Sequence, residues 1–157
     1  LEGLVIGGFT WYFEVPLGLT GIGLVAAILT FMILGGMLAI YRAGLISWDR
    51  NLAIAVSSSV FAIMMIYIVS AVGAITGWFH VPYIHGAGPL GIAFSLFVIG
   101  IGALCLVADF DFIERGVQRG APKQMEWRAA FGLMVTLIWL YLEILKLLAK
   151  IAIATRR

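Results

Sequence analysis

Polar residues along this chain fall in bunches, and the bunches separate five apolar stretches. Residues 1–13 form a short apolar run that ends near Glu14-Val15-Pro16, where Pro16 and Gly18 predict a helix stop. It reads as the end of a truncated helix. Residues 19–41 are apolar throughout, with Arg42 immediately after. Residues 51–78 carry Ser57, Ser58 and Ser59 early and close on Gly77-Trp78. Residues 89–112 open with a proline suited to a first helical turn, and the 17 residues from 92 to 108 hold no charge. Residues 127–152 form the last stretch. Each of the last four is long enough to cross a hydrocarbon core about 30 Å thick. No stretch shows the period-two alternation of a barrel strand. The predicted fold class is therefore all-α, a polytopic transmembrane helix bundle expected to form one unit over residues 1–157.

Composition agrees with this pattern. The chain is 63% hydrophobic and 11% charged, with a mean hydropathy of +1.11. An ordinary soluble domain is about 45–50% apolar and about 25% charged. The net charge of +2 comes from bases in loops and at the C-terminus. That is membrane topology and not a nucleic-acid footprint, so no nucleic-acid partner is expected. Loop 42–51 has Arg42 and Arg50; loop 114–128 has Arg115, Arg119, Lys123 and Arg128. Loops 13–18 and 79–88 have no Lys or Arg. The positive-inside rule puts loops 42–51 and 114–128 in the cytoplasm. The last segment then ends outside, although it carries Lys146, Lys150, Arg156 and Arg157. Trp11, Trp78, Trp127 and Tyr41 read as interfacial anchors. Small residues at four-residue spacing (Gly35 with Ala39, Gly91 with Ser95, Gly132 with Thr136) suit close helix packing in lipid.

Candidate chemistry is confined to a few acids. Asp109 lies at the end of the uncharged stretch 92–108. Gly102 and Cys105 lie on the same helical face and are small enough to leave room for water or a helix. An acid in a membrane-length helix is costly and usually faces an interior cavity. Asp111 points to nearly the opposite side and reads as a solvated helix end or a second candidate. Glu143 sits about 15 residues into the last segment among Leu and Ile. It either pairs with Lys146 three residues on or faces an acid of the preceding helix. Two close carboxylates share a proton, which makes a pH-sensitive latch, and when ionised they form a hard oxygen site suited to Ca²⁺. His80 and His85 lie in an uncharged loop and read as solvated. The single Cys105 has no intramolecular disulfide partner, and no Cys/His metal spacing occurs. No Walker loop, HExxH or dinucleotide turn is found, and no nucleophile stands with a base, so an enzyme is not expected.

The run LVADFDFIERGVQRGAPKQMEWRAAFGLMVTLIWLYLEILKLL, preceded by HGAGPLGIAFSLFVIGIGAL, resembles a bacterial branch of the Bax inhibitor-1 (transmembrane Bax inhibitor motif) family. The opening LEGLVIGG resembles its third-helix pattern. The resemblance covers essentially the whole chain. It implies the last part of a seven-helix bundle: the end of helix three, then helices four to seven, in a bacterial plasma membrane. It also implies a Ca²⁺ leak gated with pH by an acidic pair on the last two helices. Asp109 matches the first acid, with Asp111 as the fallback. Matching LYLE to the family's LYLD gives Glu143 as the second; a placement seven residues earlier gives Thr136 and no second carboxylate. Three functions remain open. One is a pH-sensitive cation leak gated by Asp109 with Glu143, which would also be the candidate Ca²⁺ ligands. Another is a non-transporting regulator that binds a membrane protein such as a protease, and the third is a proton-coupled transporter. No resident cofactor is expected, with Ca²⁺ or H⁺ as the transported or regulatory ion.

The charge pattern makes a direct prediction. A cysteine introduced by Gln118→Cys should resist a membrane-impermeant thiol reagent added outside intact cells, and ready labelling there would overturn the orientation.

Overall fold

The computed structural model describes residues 2–77 and 86–156, which form five helices and no strand. They are α1 (Glu2–Leu17), α2 (Ile22–Arg42), α3 (Arg50–Thr76), α4 (Pro89–Gln118) and α5 (Gln124–Thr155). The last four are long and apolar enough to cross a bilayer, so lipid is the natural environment of their exposed apolar faces. Trp78, His80 and His85 lie outside the described residues.

Most helix ends lie within three residues of the sequence expectation, and two differ by more. Pro16 does not stop α1, which runs on to Leu17. A proline in a final turn forfeits one backbone bond, a small loss beside that of an interior proline. Gly18 ends the helix instead, with a φ of 62°. The second difference is in α4, which passes Phe112 and ends at Gln118. The charged residues that suggested an interface continue the helix. Asp111 and Arg115 form an i,i+4 ion pair at 2.8 Å across the added turn, the spacing that supports a helix. Gly120, with a φ of 60°, then reverses the chain, and the Ala121 amide donates to the Gly116 carbonyl at 2.9 Å.

The short connection between α4 and α5 makes them antiparallel neighbours, and this hairpin is the centre of the molecule. α2 packs against both of its helices, α3 packs on α4, and α1 packs on α2 and α5. Leu106, Phe110 and Leu140 form a buried cluster along the hairpin, with Ile33 and Met37 of α2 laid over it. A second cluster joins Val56 and Ile63 of α3 to Val98 and Ile101 of α4. A third joins Ile22 and Ala26 of α2 to Ile144 and Leu145 of α5.

Close approach within the hairpin depends on Gly102. A Cβ at this position would lie 2.7 Å from Leu140 Cδ2 and 3.2 Å from its Cγ. Of the small-residue pairs, Gly91 and Ser95 are buried on α4 and Gly132 faces it from α5, whereas Gly35 and Ala39 are both exposed. Four-residue spacing alone therefore does not select the contact face.

Gly102→Val should destabilise the folded protein by about 1–3 kcal/mol, the usual cost of overpacking. Gly100→Val, where a Cβ meets nothing within 4 Å, should cost much less. Thermal unfolding in detergent compares the two, and equal losses would refute the close seam.

Candidate functional site

The α4–α5 seam has a readable register. Asp109 lies opposite Gly132, Gly102 opposite Leu140, and Lys150 opposite Gly91 and Ser95. Two polar groupings are strung along it. Gly132 and Glu143 are 11 residues apart on α5, which is about 16 Å of helix axis.

The first grouping is built around Asp109, which α4 carries nine residues before its C-terminal end. Its Oδ1 lies 3.7 Å from where a Gly132 Cβ would be, so the absence of a side chain at Gly132 is what admits the carboxyl. Thr136, one turn further along α5, directs its hydroxyl to the Gly132 carbonyl at 3.1 Å and also faces the Asp109 carboxyl. Oδ2 of Asp109 is buried with no hydrogen-bond partner among the described residues. Cys105, half-buried, lies one turn before Asp109. A buried polar atom without a partner costs on the order of 1–3 kcal/mol, and more when charged, so this oxygen is a point at which an ion, a proton or water has something to gain.

The second grouping holds Glu143. Its side chain is 2% exposed. Oε1 accepts from the Tyr67 hydroxyl of α3 at 2.8 Å and from Lys146 Nζ at 2.6 Å. Lys146 also stands over the Tyr67 ring, 4.7 Å from its centroid. One turn further, Lys150 donates to the Gly91 carbonyl at 3.1 Å and to Ser95 Oγ at 2.9 Å. The intrahelical pairing of Glu143 with Lys146 is thus the arrangement present, with a tyrosine from α3 added.

The structure does not bring Asp109 and Glu143 together. Gly132 and Thr136 occupy the place opposite Asp109, and Glu143 is engaged two to three turns away. Asp111 faces elsewhere and is held by Arg115. No group of three or more His, Cys, Asp or Glu among the described residues is placed to hold a metal ion. The outer turns of the hairpin carry further polar contacts. The Tyr41 hydroxyl donates to Glu114, and Arg115 reaches the Trp48 carbonyl at 3.5 Å.

A model of Bax inhibitor 1 like proteins matches residues 1–153. The chain belongs to the Bax inhibitor 1 like family. No curated protein and no solved structure matches it. In this Bax inhibitor 1 like chain, the sequence pointed to Asp109 and Glu143 but not to Tyr67, Ser95 or Lys150. One signal was available: Glu143, Lys146 and Lys150 recur at three- and four-residue spacing and share a face of α5. Tyr67 and Ser95 join them only through tertiary packing.

Lys146→Gln should destabilise the protein by about 2–3 kcal/mol. It leaves Glu143 buried without its counter-charge, and one-third exposure of the lysine moderates the usual penalty. Adding Glu143→Gln should restore most of the loss. A double-mutant cycle on thermal unfolding measures the coupling, and purely additive losses would show that the pair is not coupled.

Proposed function

We propose that this protein is a pH-sensitive cation leak in which Asp109 alone is the gating acid and Ca²⁺ the cation. The observation that supports it is the buried Asp109 Oδ2 without a partner, held between α4 and α5 against Gly132 and Thr136. At low pH the carboxyl is neutral and tolerable in a dry seam. As pH rises it ionises, and an isolated buried carboxylate is strongly unfavourable. The seam must then take in water or a cation beside Asp109. Cys105, one turn before Asp109, and Gly132 opposite it put no bulky side chain beside the carboxyl. Flux should therefore rise with pH. Thr136 stands where a second carboxylate would complete a proton-sharing pair, so the gate works by hydration of one acid and not by repulsion between two. In this reading loops 42–51 and 114–128 face the cytoplasm of a bacterial plasma membrane, and Asp109 lies near the cytoplasmic floor of the apolar span.

A second reading is a non-transporting regulator. It is favoured by a cavity of about 640 Å³ at the hairpin end, lined by Trp48, Phe112, Arg115, Arg119, Met125 and Glu126 among others. Mixed charge and exposed aromatic surface there suit a protein partner.

Liposomes holding the full-length protein and a Ca²⁺ indicator separate these readings. Wild-type flux should increase with pH, Asp109→Asn should remove that dependence, and Glu143→Gln should preserve it. Absence of flux at every pH from folded protein would sink the leak and favour the regulator.

A further inference from the structure

A second cavity lies away from Asp109, where α3, α4 and α5 meet beside α1. It has a volume of about 190 Å³. We infer that it binds the phosphoryl group of an anionic membrane phospholipid. The inference is independent of the leak reading, because none of its residues touches Asp109.

Charge is the first argument. The lining holds two ammonium groups, Lys146 and Lys150, and one carboxylate, Glu143. Among the described residues that line it, two positive groups and one negative leave +1. Glu143 is nearly inaccessible, and its Oε1 is already taken by Tyr67 and Lys146. The carboxylate is therefore turned inward, while Lys146 remains one-third exposed. A monoanionic phosphodiester has the complementary charge and several acceptor oxygens. Ammonium groups carry three donors each, and Lys146 has a single acceptor in Glu143 among its hydrogen bonds described above. Lys150 is anchored by Ser95 and the Gly91 carbonyl, which fixes its position beside the cavity.

Depth is the second argument. Ser95 lies six residues inside the start of α4, about 9 Å along the axis, and Lys146 and Lys150 lie nine and five residues before Thr155, about 14 and 8 Å. α3 has 27 residues and α5 has 32, or about 40 and 48 Å, so both exceed a ~30 Å hydrocarbon core. The ammonium groups then fall near the boundary between headgroups and acyl chains. In the orientation given by the loop charges this end of the hairpin lies at the outer face, and ammonium groups at that level complement the phosphoryl oxygens of an anionic headgroup there.

The third argument separates a lipid from a soluble anion. Phe13, Phe94 and Ile153 make much of the remaining wall apolar. A free phosphate gains nothing from that surface. The glycerol and first methylenes of a phospholipid do, at roughly 0.8 kcal/mol per buried CH₂.

Native mass spectrometry of the full-length protein in detergent, with phosphatidylglycerol or phosphatidylcholine added, tests the site. One phosphatidylglycerol should be retained in preference to phosphatidylcholine. Lys150→Gln should lower its occupancy about fivefold, the effect of one basic side chain near a lipid charge, and Lys150→Arg should restore it. If Lys150→Gln does not fold, the preference of the unaltered protein decides alone. Equal retention of the two lipids, or unchanged retention in folded Lys150→Gln, would overturn the site. Complete displacement by excess inorganic phosphate would assign it to a soluble anion and overturn the lipid.

Discussion

The close contact between α4 and α5 is the constraint on which the other arrangements depend. In lipid there is little hydrophobic drive to bring two apolar helices together, so packing and interhelical polar contacts must do it. Gly102 lets Leu140 lie directly against the α4 backbone. That approach sets the seam's register, and the register decides which polar side chains meet. It puts Asp109 opposite Gly132 and Thr136, and it puts Lys150 beside Gly91 and Ser95. A slip of one turn would place the carboxyl against a different side chain and strip Lys150 of its acceptors.

Within the bundle, serines and threonines mostly bond back to their own helix, while a smaller set of polar side chains finds partners on other helices. Glu143 is met by Tyr67 of α3. Thr10 of α1 shares a hydrogen bond of 2.8 Å with Tyr141 of α5, and Glu14 accepts from the Gly23 amide of α2 at 3.1 Å. Arg156 closes the same corner by donating to the Leu17 carbonyl at 2.8 Å. These bonds hold α1 against the bundle at a point where Gly23 leaves room: a Cβ there would lie 2.5 Å from Thr10 Cγ2. Asp109 Oδ2 stands apart from this pattern. A fold that supplies partners to Glu143, Thr10 and Glu14 leaves this buried oxygen unmet among the described residues, and that contrast directs attention to Asp109.

The two acids of the seam therefore divide the labour differently from a symmetric pair. Glu143 is neutralised by Lys146 within its own helix and helps to hold α3 to α5 through Tyr67. Lys146 and Lys150 lie beside it at a cavity of about 190 Å³. Asp109 has no base within bonding reach among the described residues, and its surroundings are small side chains and a hydroxyl. One acid belongs to the architecture and the other to the proposed gate.

What the sequence determined by itself was the membrane class, the four spans and the identity of the costly acids. Each follows from local chemistry: twenty apolar residues suffice to span a bilayer, and an ionisable side chain among them is conspicuous without any knowledge of its neighbours. Helix ends were legible where a left-handed glycine could be read, and less so where Pro16 or the charged turn of Asp111 suggested an earlier stop. The partners of the acids were decided only by tertiary structure. LYLE gave Glu143 a plausible motif match, but which residue of α5 faces Asp109 depends on the seam's register, and that depends on side-chain contacts such as Leu140 on Gly102 across the hairpin. The same holds for Tyr67 and Ser95. They are 76 and 55 residues from the side chains they bond, and no local pattern spans such a distance.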